Sequence, residues 1–127
     1  MIATGLVLSG VAALVHVYIF VLESLLWTTR ARAVFGTTPE EATATRALAF
    51  NQGFYNLFLA VAVTVGIVLV ATGQTAVGAT LVLTGTGSMV AAGLVLMISD
   101  RTKTSAALKQ LVPPLLGVIA LVVGLAA

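Results

Sequence analysis

The chain has 127 residues, 60% of them hydrophobic and only 8% charged, with a mean hydropathy of +1.16 and a formal charge of +2. A soluble domain of this size needs a polar exterior, with about a quarter of its residues charged, so most of this surface must meet lipid, and the length suits one compact domain. The absence of cysteine excludes disulfides, thiolate metal sites and cysteine nucleophiles, and so small a net charge gives no footing for a nucleic-acid partner.

A run of about 20 apolar residues crosses the hydrocarbon core as a helix. Four such runs are present, and they predict helices at about 2–28, 45–71, 76–98 and 106–126 within a single domain, 1–127. Backbone amides cannot go unpaired in lipid, so each run must be a helix or a barrel strand. None shows the period-two alternation of a barrel strand. The expected fold is therefore all-α, a four-helix transmembrane bundle.

The first run is expected to remain as a membrane helix rather than a cleaved signal. No Lys or Arg precedes it, it is too long, and Glu23 sits inside it. After it, Thr38-Pro39-Glu40-Glu41 has the form of a helix start, with Thr38 as N-cap, Pro39 first and Glu41 third. The turn at Thr72-Gly73-Gln74 is so short that the second and third helices must be antiparallel neighbours. Pro113-Pro114 is placed near the start of the fourth helix, where missing amides cost little.

Every basic residue falls in or beside two loops: Arg30, Arg32 and Arg46 around the first, Arg101, Lys103 and Lys109 around the second. Short loops rich in Lys and Arg stay in the cytoplasm. Both loops lie on one side of a four-span chain, so both termini are expected outside.

The third helix carries Gly78, Gly85, Gly87, Ser88, Ala92 and Gly93, and the fourth carries Gly117 and Gly124. Small residues let helices approach closely in lipid. They predict packing within the bundle, or a homo-oligomer through the small-residue faces of the third and fourth helices.

The candidate site is a polar band on the first two helices. His16 and Glu23 are seven residues apart, hence near one face of an ideal helix, with Phe20 and Trp27 extending the stripe. Asn51, Gln52, Tyr55 and Asn56 lie several turns into the second helix. Counting depth from the loop puts Asn51 and Gln52 level with Glu23, and Asn56 towards the level of His16. All six polar groups are thus expected to gather in the cytoplasmic half of the bilayer.

An ionisable group costs roughly 2.5–3.5 kcal/mol at a helix centre in the membrane, so such residues point to function. The competing account is interhelical adhesion, with each amide or hydroxyl bond contributing about 0.6 kcal/mol. Metal binding is weakly supported, since one His, one Glu and amides fall short of the usual ligand sets. Ser24, one position from Glu23, is expected to face elsewhere, which leaves no nucleophile beside His16 and no catalytic residue to assign. No cofactor is implied.

His16-Val17-Tyr18-Ile19, Glu23, Trp27-Thr28-Thr29 and Val34-Phe35-Gly36 occur together with Asn51-Gln52-Gly53-Phe54-Tyr55-Asn56-Leu57-Phe58-Leu59-Ala60. In these motifs the chain resembles the small bacterial membrane proteins of the domain-of-unknown-function family thirteen-oh-four. The resemblance is specific in the first half, and it implies a four-helix protein of the bacterial inner membrane with no assigned activity. Two functions are expected. One is a small-molecule or ion transporter or channel, with Glu23 and His16 as protonatable groups and the helix-two side chains as ligand contacts. The other is a membrane-embedded binding or accessory protein that recognises a lipid or a partner membrane protein. An intramembrane enzyme ranks last.

Overall fold

The computed structural model describes all residues from Met1 to Ala127. Helix α1 spans Ile2–Phe20 and continues as a π turn, Val21–Leu25. A short α2, Arg30–Phe35, precedes the long α3, Pro39–Ala71, then α4, Thr75–Ser99, and α5, Thr104–Ala126. The stretches Ile2–Leu25, Pro39–Ala71, Thr75–Ser99 and Arg101–Ala126 are each long and apolar enough to cross a membrane. The architecture is the expected all-helical one, and it fits a multi-pass membrane protein.

The ends of α3 arise from local chemistry. Thr38 Oγ1 accepts from the Glu41 amide at 3.2 Å while Glu41 Oε2 accepts from the Thr38 amide at 2.9 Å, which satisfies two otherwise orphaned donors. The helix therefore begins at Pro39, about two turns before the apolar stretch. At its other end Gly73 takes a φ of 91°, and the Gln74 amide reaches back to Leu69 O at 2.8 Å. A left-handed residue here closes the helix and reverses the chain into α4. Between α4 and α5, Asp100 accepts hydrogen bonds from the backbone and side chain of Thr102 and pairs with Lys103 at 3.5 Å.

Helices α1, α3, α4 and α5 form an antiparallel ring in which α1 touches α3 and α5, and α4 touches the same two. Ala12, Ala13, Ala60, Val63 and Met89 fill the centre. Small residues set the spacing. A methyl added at Gly78 would lie 2.6 Å from Gly66 O, one at Gly93 2.9 Å from Leu111 Cβ, and one at Gly124 2.5 Å from the Ile2 amide. Gly85 and Gly117 likewise face Val63 and Ser9. These glycines are occupied by the chain's own helices; Gly87 alone among those of α4 and α5 opens onto free space.

Pro113 and Pro114 differ from expectation, since they lie inside α5 rather than near its start. The helix begins at Thr104, because the single turn Arg101–Lys103 feeds straight into it. Each proline removes an amide, so the carbonyls of Lys109 and Gln110 lose their helical donors.

Candidate functional site

The π turn shapes the polar region. The Leu26 amide bonds Val21 O at 3.0 Å, a five-residue step. One extra residue in a turn shifts the helix register, so Glu23 and Ser24 both turn towards α3. Ser24 Oγ donates to Phe50 O at 2.9 Å. This corrects the expectation that Ser24 faces elsewhere, which assumed an unbroken 3.6-residue repeat. The fit is close: a methyl at Gly53 would overlap Ser24 Oγ.

Asn56 is the residue that meets Glu23. Its Nδ2 donates to Glu23 Oε2 at 2.9 Å and lies 3.2 Å from Gln52 O, one turn back on its own helix. The aromatic residues brace this seam. Phe20 packs edge-on against Phe54 with ring centres 5.1 Å apart. Trp27 Nε1 donates to Thr45 Oγ1 at 3.1 Å, and its ring lies 5.5 Å from that of Phe35.

The other polar residues do not join the pair. His16 is buried, only 2% exposed, and its Nδ1 bonds Ala12 O at 2.9 Å within α1. It looks into the bundle, whereas the π turn carries Glu23 to the α1–α3 seam. Asn56, expected towards the level of His16, instead meets Glu23. Asn51 and Gln52 lie on exposed surface, and Tyr55 is 59% exposed. The structure thus brings two of the six polar groups together, buries one separately and turns three outwards.

Three groups were not singled out by sequence reasoning. Ser9 and Thr86 are fully buried polar residues. Thr86 Oγ1 donates to Val82 O at 2.6 Å, while Ser9 Oγ has no partner. Ser9 was findable, since it lies seven residues before His16 on the same helix. The third group surrounds a cavity between α1, α2 and α5, where Lys109 and Gln110 lie beside Tyr18. No sequence signal marks it, because its walls come from three separate helices.

Chemically, the Glu23–Asn56 pair can hold or exchange a proton or a polar ligand group, but His16 and Glu23 do not converge with a third ligand-type side chain. A family model described as "Protein of unknown function (DUF1304)" matches residues 10–122. The chain belongs to that family. The match covers α1 from Gly10 and almost all of α5, so it embraces the polar seam and the second half of the bundle alike. No curated protein and no solved structure matches the chain.

Proposed function

We propose that the protein is a membrane-embedded binding or accessory protein that recognises another membrane-spanning helix through the outer face of α3. The observation that carries this reading is the outward placement of Asn51 and Gln52. Their carboxamides lie on exposed surface near Phe50, Tyr55 and Phe58, and neither side chain hydrogen-bonds within the chain. Amide groups facing hydrocarbon without partners are costly, and polar side chains across a helix pair relieve that cost. A second copy of this chain, pairing its own α3, supplies such a partner, as does a different membrane protein.

The basic loops sit together at one end of the ring, which supports a cytoplasmic assignment for that end, with both termini outside a bacterial inner membrane. At the level of Glu23 the α1–α3 seam supports adhesion rather than a cavity, because Gly53 and Ser24 leave no room there.

The absence of native cysteine makes the test clean. Tyr55→Cys in native membranes is expected to crosslink to a partner, and the adduct's mass identifies a second copy or another protein. Replacing both Asn51 and Gln52 with Leu should abolish it. Crosslinking no stronger than that of Val95→Cys, on an exposed position of α4, would sink the proposal. Adducts that survive Glu23→Ala and Asn56→Ala place the contact on the outer face rather than on the seam.

A second reading, a proton-linked transporter, draws on a different observation. Ser9, His16 and Glu23 recur every seven residues along α1, and Ser9 Oγ is buried without a partner. The filled centre of the ring means that such a path would run along a seam or between protomers. Proton flux in proteoliposomes that is indifferent to Glu23→Gln removes the proton role.

A further inference from the structure

The side of the bundle away from the α1–α3 seam holds two cavities that meet. The first, about 240 Å³, lies between α1, α2 and α5 and is walled by Val15, Ile19 and Leu22. The second, about 230 Å³, opens by the turn before α5 and is lined by Thr102, Lys103 and Ser105. Val34, Phe35 and Ala106 line both. One cavity is almost wholly apolar and the other is about half polar, so together they form an amphipathic cleft running from the basic end towards the middle of the bundle.

The polar half is built and electropositive. Lys103 Nζ holds Phe35 O at 3.1 Å and Asp100 at 3.5 Å, contacts that fix α2 against the start of α5. An ammonium has three donors, so one remains. Ser105 is exposed and its hydroxyl makes no hydrogen bond within the chain. Arg101, Lys103 and Lys109 face a single carboxylate, Asp100, in this stretch, leaving two positive charges uncompensated. Lys109 and Gln110 add side chains at the apolar half, and their carbonyls lack helical donors because of Pro113 and Pro114.

We infer that this cleft is a binding site for one anionic phospholipid, with an acyl chain in the apolar cavity and the phosphate in the polar one. An acyl chain matches a wall of Val, Ile and Leu side chains that opens sideways on the bundle, and a phosphate matches ammonium and hydroxyl donors. Basic groups at the membrane surface favour anionic over zwitterionic headgroups. The site is independent of the α3 face proposed above, since it is framed by α1, α2 and α5.

The test is native mass spectrometry of the purified full chain in detergent, titrated with phosphatidylglycerol or with phosphatidylcholine. The wild type is expected to retain one phosphatidylglycerol per chain at least tenfold more readily than phosphatidylcholine. Ala106→Trp fills the junction of the two cavities and should reduce phosphatidylglycerol retention at least tenfold. Ser105→Glu places a carboxylate in the first turn of α5, where it suits the helix, and should erase the preference for phosphatidylglycerol without disturbing the fold. Equal retention of the two lipids by the wild type overturns the inference. So does wild-type retention of phosphatidylglycerol by the folded Ser105→Glu chain. Tyr55→Cys crosslinking reports separately on the α3 face.

Discussion

Asn56 Nδ2 donates to Glu23 Oε2 at 2.9 Å, and this bond is the only side-chain partner that the rest of the chain gives the α1 carboxyl. It joins the π turn of α1 to the middle of α3 across 33 residues of sequence. The pair ties helix register to a group that lipid would otherwise penalise.

Removing either partner should therefore have unequal effects. Asn56→Leu strips Glu23 of its donor and is expected to lower stability by about 0.6 to 1.7 kcal/mol, the range of single interhelical bonds in membranes. Glu23→Gln keeps an acceptor for Asn56 and should cost less. Unfolding in detergent by dodecyl sulfate titration checks the order, and a double-mutant cycle isolates the coupling.

Close approach of α3 and α4 should make the bundle sensitive to added volume at their glycines. At Gly66 an added methyl would lie 2.7 Å from Gly78 O, which is backbone and cannot turn aside. Gly66→Ala is expected to cost about 1–3 kcal/mol through overpacking. Gly87→Ala meets no atom within 4 Å and should be neutral or stabilising by up to about 1 kcal/mol, through helix propensity. Paired unfolding curves decide it, and equal losses would contradict the assigned faces.

The capping box at the start of α3 makes a local prediction. Thr38→Ala removes the acceptor for the Glu41 amide and should cost about 1 kcal/mol. Amide hydrogen exchange should rise over the first turn, at Glu40, Glu41 and Ala42, and leave the apolar part of α3 unchanged.

Asp100 makes the turn into α5 sensitive to acid. The Thr102 hydroxyl, helped by the Thr102 amide and Lys103, holds the carboxyl below its ordinary value, against a smaller opposing effect of desolvation. A depressed value in the folded state means that the contribution is complete above the unfolded value of about 3.9. It is lost as pH falls through the folded value. The slope of stability against pH in that acid window should be shallower for Asp100→Asn. An unchanged slope would show that the turn does not respond to this group.

Much of the fold was legible in the chain because apolar length and the exclusion of unpaired amides leave few alternatives. Thr38 to Glu41 announced a helix start, and the short Thr72–Gln74 turn announced an antiparallel pair. The candidate site was legible only in part. Glu23 and Asn56 could be named as costly polar groups, but their pairing could not, since counting seven residues assumes a regular helix. Ser24 was misplaced for the same reason. Lys109 was read only as a basic residue in or beside the second loop, because its place at a cavity depends on α1, α2 and α5 meeting in space.

Sequence by itself determined the four apolar helices, the clustering of basic residues in two loops and the residues for which lipid is a poor solvent, because these depend only on composition and order along one strand of chain. Tertiary structure decided which of those residues meet. The π turn set the rotation of α1, the glycines set how closely α3 and α4 approach, and the α1–α5 contact created the cleft beside Lys109. Each depends on atoms from two helices meeting in space, and a one-dimensional pattern does not contain that relation.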